Sequence, residues 1–271
     1  MTGKDAMSDW AEEFSGRKVV LTGACGVFGH WIAEAFAKAG ARLCLSDLRG
    51  DALTTMARDL GVATKGGLTH VTDLADSGSI DDLVATVGRA WGAPDIVINN
   101  AGVYPSGFLI DIDAAEWDRI FDTNLRAPFL TARGFARLMI AAKVQGNIVN
   151  ISSGAARRMR RTVVPYCTSK TALDRLTKGF AIELAEFGIR VNAVEPGFAP
   201  GSTASPLTDA HVEATTAGIP MGRASLPEDA PNAIMFVCSG KAAYITGATL
   251  SVDGGNSIGS LMVYQDKKSP G

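Results

Sequence analysis

Tyr166 and Lys170 stand four positions apart, which places them one turn apart on the same face if that stretch is helical. A phenol is a poor acid or base near neutrality, with a free pKa of ~10. A fixed ammonium beside it favours the phenolate and lowers that value. Ser153 follows the apolar run Asn147-Ile148-Val149-Asn150-Ile151. A strand over that run ends near Ser153 and delivers its hydroxyl to the same cleft. A hydrogen-bond donor, a proton-transferring phenol and a tuning cation suit the making or breaking of a C–OH bond at a carbonyl carbon. A tyrosine and lysine at this spacing are common on helix surfaces, so the weight of the pair depends on what precedes it.

What precedes it is a strand, a glycine turn and a helix. The run Lys18-Val19-Val20-Leu21 reads as a short buried strand. It leads into Thr22-Gly23-Ala24-Cys25-Gly26-Val27-Phe28-Gly29, and a helix with apolar Ile32, Ala35, Phe36 and Ala39 follows. In that context the glycines let backbone approach a pyrophosphate, and the helix N-terminus supplies free N–H groups. Gly40 ends the helix, and a second strand, Arg42 to Ser46, is followed by Asp47, 24 residues beyond Gly23. A carboxylate there accepts from a ribose 2′-hydroxyl and repels a 2′-phosphate, so NAD is expected rather than NADP. Arg49 is able to accommodate such a phosphate, but Asp47 lies nearer the strand end and decides the choice.

Further strands are expected at 68–71, 95–98, 147–152, 190–194 and 249–252. Helices are expected around 51–60 and 79–90, over 115–143, and from Pro227-Glu228-Asp229 through Val237, where proline and acids mark a start. Asn124 lies inside the long helical stretch. Asparagine is a weak helix former, so it marks a local break with water or backbone bound to its amide. Alternating strands and helices predict a single doubly wound α/β domain, with a parallel sheet of about seven strands and helices on both faces.

The 271 residues, 46% hydrophobic, are enough for a layered core, and a net charge of -2 implies no attraction to nucleic acid or membrane. No apolar run approaches the ~20 residues needed to span a bilayer. Residues 1–15 read as a loose leader, not a signal peptide, with Trp10 and Phe14 packing down on the domain. Cys25, Cys44, Cys167 and Cys238 lack metal-ligand spacing and read as reduced thiols of a cytoplasmic protein, with no metal site.

Taken together, these motifs resemble the short-chain dehydrogenase/reductase family. They are Thr22-Gly23 to Gly29, Asp73, Asn99-Asn100-Ala101-Gly102, Asn124, Ser153, Tyr166 to Lys170, Pro196-Gly197, and Thr246-Gly247 with Val252-Asp253-Gly254-Gly255. They cover residues 17 to 255 in family order and at family spacing. The resemblance implies a Rossmann-like domain over 16–256, a substrate lid at about 198–218 and a C-terminal tail over 257–271. It also implies a homo-oligomer, a tetramer at first guess, with the tail packed on a neighbour or frayed.

By position, Asn124, Ser153, Tyr166 and Lys170 resemble the catalytic tetrad. The cofactor would be held by Gly23, Cys25, Gly26, Val27, Phe28, Gly29, Asp47, Leu48, Asp73 and Leu74 on the adenine and phosphate side. Asn99 and its neighbours Asn100, Ala101 and Gly102 would line the ribose, and Ile151, Tyr166, Lys170, Pro196, Gly197 and Phe198 would meet the nicotinamide end. Asn124 would anchor a water in a proton relay from Lys170, and hydride would pass on the pro-S face.

Two departures stand out. The common turn has a glycine where this chain has Val27, whose Cβ would crowd the phosphates, while Gly26 gives the spacing of the extended branch. The threonine that touches the carboxamide in the family is replaced by Gly201, with Ser202 or Thr203 as stand-ins.

Between Ser153 and Tyr166 runs Arg157-Arg158-Met159-Arg160-Arg161. Guanidinium groups bind oxyanions in a bidentate fork, so a substrate with an anionic group is expected here, with Arg157 and Arg158 its first candidates. A solvated basic turn or an ion-pair patch at a subunit contact is the competing reading. Leu207 and Met221 are candidate apolar walls, and His211 a surface residue. The expected reaction is hydride transfer between NAD and a secondary alcohol or ketone, sugar-type hydroxyls included. An NADPH-dependent carbonyl reductase and a non-catalytic NAD(H) sensor or scaffold are the alternatives.

Overall fold

The computed structural model describes residues 10–104, 107–201, 206–259 and 261. Expectations for the first nine residues, for Ser202 and Thr203 and for the tail beyond 261 lie outside them. Seven strands form one sheet: β1 (Lys18–Thr22), β2 (Arg42–Asp47), β3 (Leu68–Val71), β4 (Ile96–Asn99), β5 (Asn147–Ile151), β6 (Arg190–Pro196) and β7 (Thr249–Val252). Every pairing is parallel, in the order β3-β2-β1-β4-β5-β6-β7. The helices are α1 (Val27–Lys38), α2 (Gly50–Asp59), α3 (Ser77–Trp91), α4 (Ala114–Phe121), α5 (Ala127–Ala141), α6 (Val164–Leu184), α7 (Asp209–Ala217) and α8 (Asp229–Cys238).

The apolar runs become strands because both faces of the sheet are covered, so successive residues all have somewhere dry to go. Val19, Leu21, Ile96 and Ile98 pack on one face with Ile32 and Phe36 of α1 and Ile234 of α8. Val20, Val97 and Ile148 pack on the other with Leu83 of α3, Phe135 of α5 and Leu184 of α6. Trp10 and Phe14 continue the first layer: Phe14 is fully buried and meets Phe36 edge-on at 5.1 Å between ring centroids. The end of the leader is therefore part of the core rather than loose.

The chain winds outward from β1 to β3, then returns to β4 on the other side of β1. This reversal opens a crevice at the carboxyl ends of β1 and β4, where ligands of open parallel sheets bind. Thr22, Asp47, Asn99, Ile151 and Pro196 all sit at carboxyl ends of strands. No helix among the described residues is long and apolar enough to cross a membrane.

Candidate active site

The glycine turn divides into positions that serve the fold and one that leaves space. Gly23 has φ +63°, and a Cβ there would lie 2.6 Å from the Ala101 Cα; a Cβ on Gly29 would overlap the Gly23 carbonyl oxygen. Both therefore let the turn pack against β4 and its own helix. Gly26 has an ordinary φ of -75°, and a Cβ there would meet only the Gly23 carbonyl oxygen, at 3.5 Å. The space beside it, at an α1 N-terminus that no side chain caps, fits a pyrophosphate. Val27 is the first residue of α1.

Asp47 is buried, and its carboxylate is heavily solvated by protein. It accepts from the Cys25 N–H at 2.9 Å, from the Arg49 N–H and Nε at 3.0 Å each, and from Arg49 Nη2 at 3.3 Å. Burial alone would raise its pKa, but the Arg49 and Cys25 bonds together hold it below the usual range. Arg49 is thus folded back on Asp47.

Asn100 locks β4 to β1, its amide donating to the Thr22 and Gly23 carbonyls at 3.1 and 2.9 Å. Asn99, expected beside the ribose, is turned into the core. It accepts from Thr131 at 2.7 Å and donates to Asn150 at 2.8 Å. The reason is the strand period: Asn99 is the last residue of β4 and faces the helices, leaving the three residues after it to border the crevice. Asp73 closes a local turn, accepting from the Ala75 N–H at 2.9 Å, and Leu74 follows it half-buried. At the other end, the Gly197 N–H donates to Val252, and a Cβ on Gly197 would strike Asp253 and Ser225.

The break expected at Asn124 is a π-helical segment, Asp122–Arg126, between α4 and α5. The extra residue per turn turns Asn124 fully inward. Its amide accepts from the Val103 N–H at 2.8 Å and donates to the Val103 carbonyl at 3.0 Å and to Ser169 at 3.2 Å. The side chain is thereby fully occupied with protein partners and fixes the loop after β4.

Pro165 at the start of α6 presents Tyr166 and Lys170 from the first turns of that helix. Lys170 Nζ donates to the Ile151 carbonyl at 2.8 Å and lies 5.8 Å from the Tyr166 ring centroid. A Cβ on Gly102 would approach Lys170 Nζ at 3.5 Å and Asn124 Oδ1 at 3.3 Å, so the loop after β4 passes directly over the pair. Burial pushes the Tyr166 phenol up, a hydrogen bond with Ser153 and the charge of Arg160 act against it, and the net position is about 12. Burial draws the Lys170 ammonium down to about 8. The structure therefore brings Ser153, Tyr166, Lys170 and Asn124 together at the ends of β4 and β5.

Two features of the cleft had no signal in sequence spacing. Tyr104 packs edge-on against Tyr166, with centroids 4.4 Å apart, and is half exposed. The arginines also divide. Arg157 Nε pairs with the fully buried Glu195 at 2.9 Å, and Arg158 donates to Asn256 at 3.0 Å. Arg161 lies 5.0 Å from the Phe108 ring centre. Leu207 and Met221 are exposed, and the lid region contains a helix, α7, capped by Thr208. Among the described residues no His, Cys, Asp or Glu cluster could hold a metal ion, and the four cysteines are free thiols.

A parallel sheet with a switch-point crevice, a glycine turn and a Tyr/Lys/Ser/Asn cluster defines a nicotinamide-dependent oxidoreductase class, and comparison with known proteins agrees. A family model described as enoyl-(acyl carrier protein) reductase matches residues 23–257. Galactitol 2-dehydrogenase of Agrobacterium fabrum is 34% identical over 249 residues, covering 88% of this chain and 96% of that one. A short-chain type dehydrogenase/reductase from Mycobacterium marinum superposes with a TM-score of 0.82 at 31% identity, over 93% of this chain and 99% of that one. A Beutenbergia cavernae structure, described as an NAD(P)-dependent gluconate 5-dehydrogenase with NADP at low occupancy, gives 0.81 at 31% identity, over 90% and 98%. The chain belongs to the short-chain dehydrogenase/reductase family. It is an oxidoreductase that acts on CH–OH groups with a nicotinamide cofactor.

Proposed function

We propose that this enzyme moves a hydride between a secondary alcohol or ketone, polyols and sugar acids included, and NAD in preference to NADP. The observation that carries the reading is the convergence of the Ser153 hydroxyl, the Tyr166 phenol and the Lys170 ammonium at the carboxyl ends of β4 and β5. Tyr166 takes the alcohol proton in oxidation and returns it in reduction. Ser153 holds the substrate oxygen by a hydrogen bond. Lys170, charged at neutral pH with one of its three N–H groups spent on Ile151, holds the nicotinamide ribose and favours the phenolate. Asn124, its amide bonded to Val103 and Ser169, would anchor a relay water by fixing the loop after β4 beside Lys170.

When bound, the nicotinamide supplies the hydride acceptor or donor. Gly23 to Gly29 would hold its pyrophosphate. Asp47 and Leu48, with Asp73 and Leu74, would flank the adenosine, Asn100 to Gly102 the ribose, and Ile151 and Pro196 to Phe198 the nicotinamide. The second reading, an NADPH-dependent carbonyl reductase, draws on Arg49, which pairs with Asp47 and would offer a cation to a 2′-phosphate. The buried position of Asp47 at the strand end favours NAD. A hollow between α6 and the stretch from the end of α4 through the π-helical segment into α5, lined by Phe121, Asp122, Leu125, Arg126, Phe129, Ala172 and Leu176, supports self-association, with a tetramer as the proposed assembly. Four free thiols favour a cytoplasmic setting.

A panel of secondary alcohols and polyols, assayed with each coenzyme by the absorbance of reduced nicotinamide, tests this reading. The expected kcat/KM favours NAD by about tenfold or more, ~1.4 kcal/mol. Asp47→Ser should move the ratio toward NADP. A wild-type preference for NADP would establish the second reading instead.

A further inference from the structure

A hydroxyl that sets where a substrate oxygen lies must itself be held in place, and Ser153 stands on a loop. It opens a single 3-10 turn, Gly154–Ala156, and Arg157 closes that turn. The Ala156 N–H donates to the Ser153 carbonyl at 2.8 Å, and the Arg157 N–H donates to the Gly154 carbonyl at 3.2 Å. Ser153 and Arg157 are therefore the two ends of one hydrogen-bonded unit. Neighbours hold that unit on two sides. Thr171 of α6 donates to the Ala156 carbonyl at 2.9 Å. A Cβ on Gly154 would lie 2.8 Å from the Ser257 Cβ, so the segment after β7 is pressed against the turn.

The third side is held by charge. Arg157 Nε reaches back to Glu195 Oε2 at 2.9 Å, and Glu195, on β6, has no exposed surface. Ser251, its register partner on β7, donates to the same carboxylate oxygen at 2.5 Å. On the opposite flank the pairing of β5 with β6 continues one residue further, where the Ser152 N–H donates to the Val194 carbonyl at 2.8 Å. Ser152 thus lies beside Glu195, directly before Ser153. The Arg157 side chain runs from the far end of the turn to the sheet position next to its near end, and so closes the turn into a ring.

Stability alone is a weak reason to keep such a pair. Glu195 Oε1 is buried and has no partner among the described residues. A buried ion pair with unsatisfied atoms is often replaceable by apolar side chains at no loss. What apolar side chains lack is direction: a guanidinium N–H on a carboxylate oxygen fixes an angle as well as a distance.

We infer that Arg157 and Glu195 are positioning residues for the reaction, and that their ion pair holds the turn so that the Ser153 hydroxyl meets the substrate oxygen beside Tyr166. The inference rests on the proposed role of Ser153 in CH–OH chemistry. It gives Arg157 a task inside the loop rather than on an anion of the substrate.

The test uses the full chain, saturating NAD and whichever of sorbitol, gluconate, 2-butanol and 1-phenylethanol the wild type oxidises with the highest kcat/KM. Arg157→Met should lower kcat by about 10–10²-fold, the scale of a small misplacement of a reacting group, with the NADH dissociation constant unchanged. Arg157→Lys should recover part of the loss. Arg157→Met leaves Glu195 buried without its cation and should also lower the melting temperature. Arg157→Met with Glu195→Leu removes both charges, so its melting temperature should return while kcat stays low. That double variant carries the test if Arg157→Met does not fold. In a Ser153→Ala background, Arg157→Met should cost less than about a further twofold in kcat, since residues that act as one unit are not additive.

Wild-type turnover in the apolar double variant would overturn the inference and leave the pair a structural one. So would a loss from Arg157→Met that is as large in Ser153→Ala as in wild type, because the pair would then act on something other than Ser153. If Ser153→Ala itself keeps full activity, or none of the four alcohols is oxidised with either coenzyme, the CH–OH reading fails first and carries this inference with it.

Discussion

Replacing Tyr166 by Phe should lower turnover by about 10²–10⁴-fold, the range of general acid–base catalysis, while NADH still binds. The phenol oxygen is the only atom removed. The ring, its edge-on packing against Tyr104 and its place at the start of α6 all remain. Loss of activity with an unchanged NADH dissociation constant would therefore report the proton-transferring oxygen rather than the pocket. Near-full activity in Tyr166→Phe would end the assignment. The pH profile of the wild type adds a second signature. Burial raises the free phenol to about 12, so alcohol oxidation near neutrality depends on positive charge brought close to it. Lys170, Arg160 and the oxidised nicotinamide all act in that direction, and oxidation should accelerate as pH rises.

The second large effect is expected at Lys170, and it has two signs. Lys170→Met should reduce turnover by orders of magnitude, because the phenol loses its tuning cation and the ribose its donor. The ligand-free protein should nevertheless become more stable at neutral pH. Burial holds the Lys170 ammonium at about 8 in the folded state, against an ordinary 10.5. Below about pH 8 both folded and unfolded chains carry the proton, and the penalty of a buried charge is fully present, of order 3 kcal/mol at 1.36 kcal/mol per pKa unit. Between pH 8 and 10.5 the folded state alone has shed it, so the penalty fades as pH rises. Loss of the Ile151 hydrogen bond offsets part of the gain.

Cys25, Cys44 and Cys238 act in the opposite sense above pH 9, since burial raises their thiols to about 11, 12 and 12. They are common to both proteins and cancel in the difference. Denaturant unfolding of wild type and Lys170→Met at pH 7 and at pH 10 is the measurement. The variant should be more stable at pH 7, with the gap narrowing at pH 10. A variant less stable at pH 7 would show that Lys170 is not held as a costly buried cation.

Much of the fold was legible because the strands are buried on both faces. Val19-Val20-Leu21 and Ile96-Val97-Ile98 are apolar at every position, and their packing on opposite faces of one sheet explains why. Asn124 was legible as an interruption because its type disfavours a helix interior, and the structure answers with a π-helical segment that points its amide at Val103. What was not legible depends on contacts between loops. Nothing in the spacing of Tyr104 announces that its ring will lie on Tyr166.

The arginine cluster reads as one feature in sequence, yet its members separate once Glu195 and Asn256 claim two of them. Asn99 falls between these cases. Its position after a strand was readable, but whether the side chain faced crevice or core depended on the register with Asn150 and on the hydroxyl of Thr131. The helix Asp209–Ala217 carried a readable start at Thr208-Asp209, masked by a composition rich in small and polar residues.

The account turns on one event, the direct passage of hydrogen from a carbinol carbon beside Tyr166 to the coenzyme. Its most direct test is the oxidation of a secondary alcohol deuterated at that carbon, drawn from the alcohols and polyols that the enzyme turns over, with the reduced coenzyme examined by mass spectrometry and proton resonance. The account predicts one deuterium in each reduced nicotinamide, carried at the pro-S position of C4. Reduced coenzyme without deuterium, or deuterium released to solvent, would contradict it.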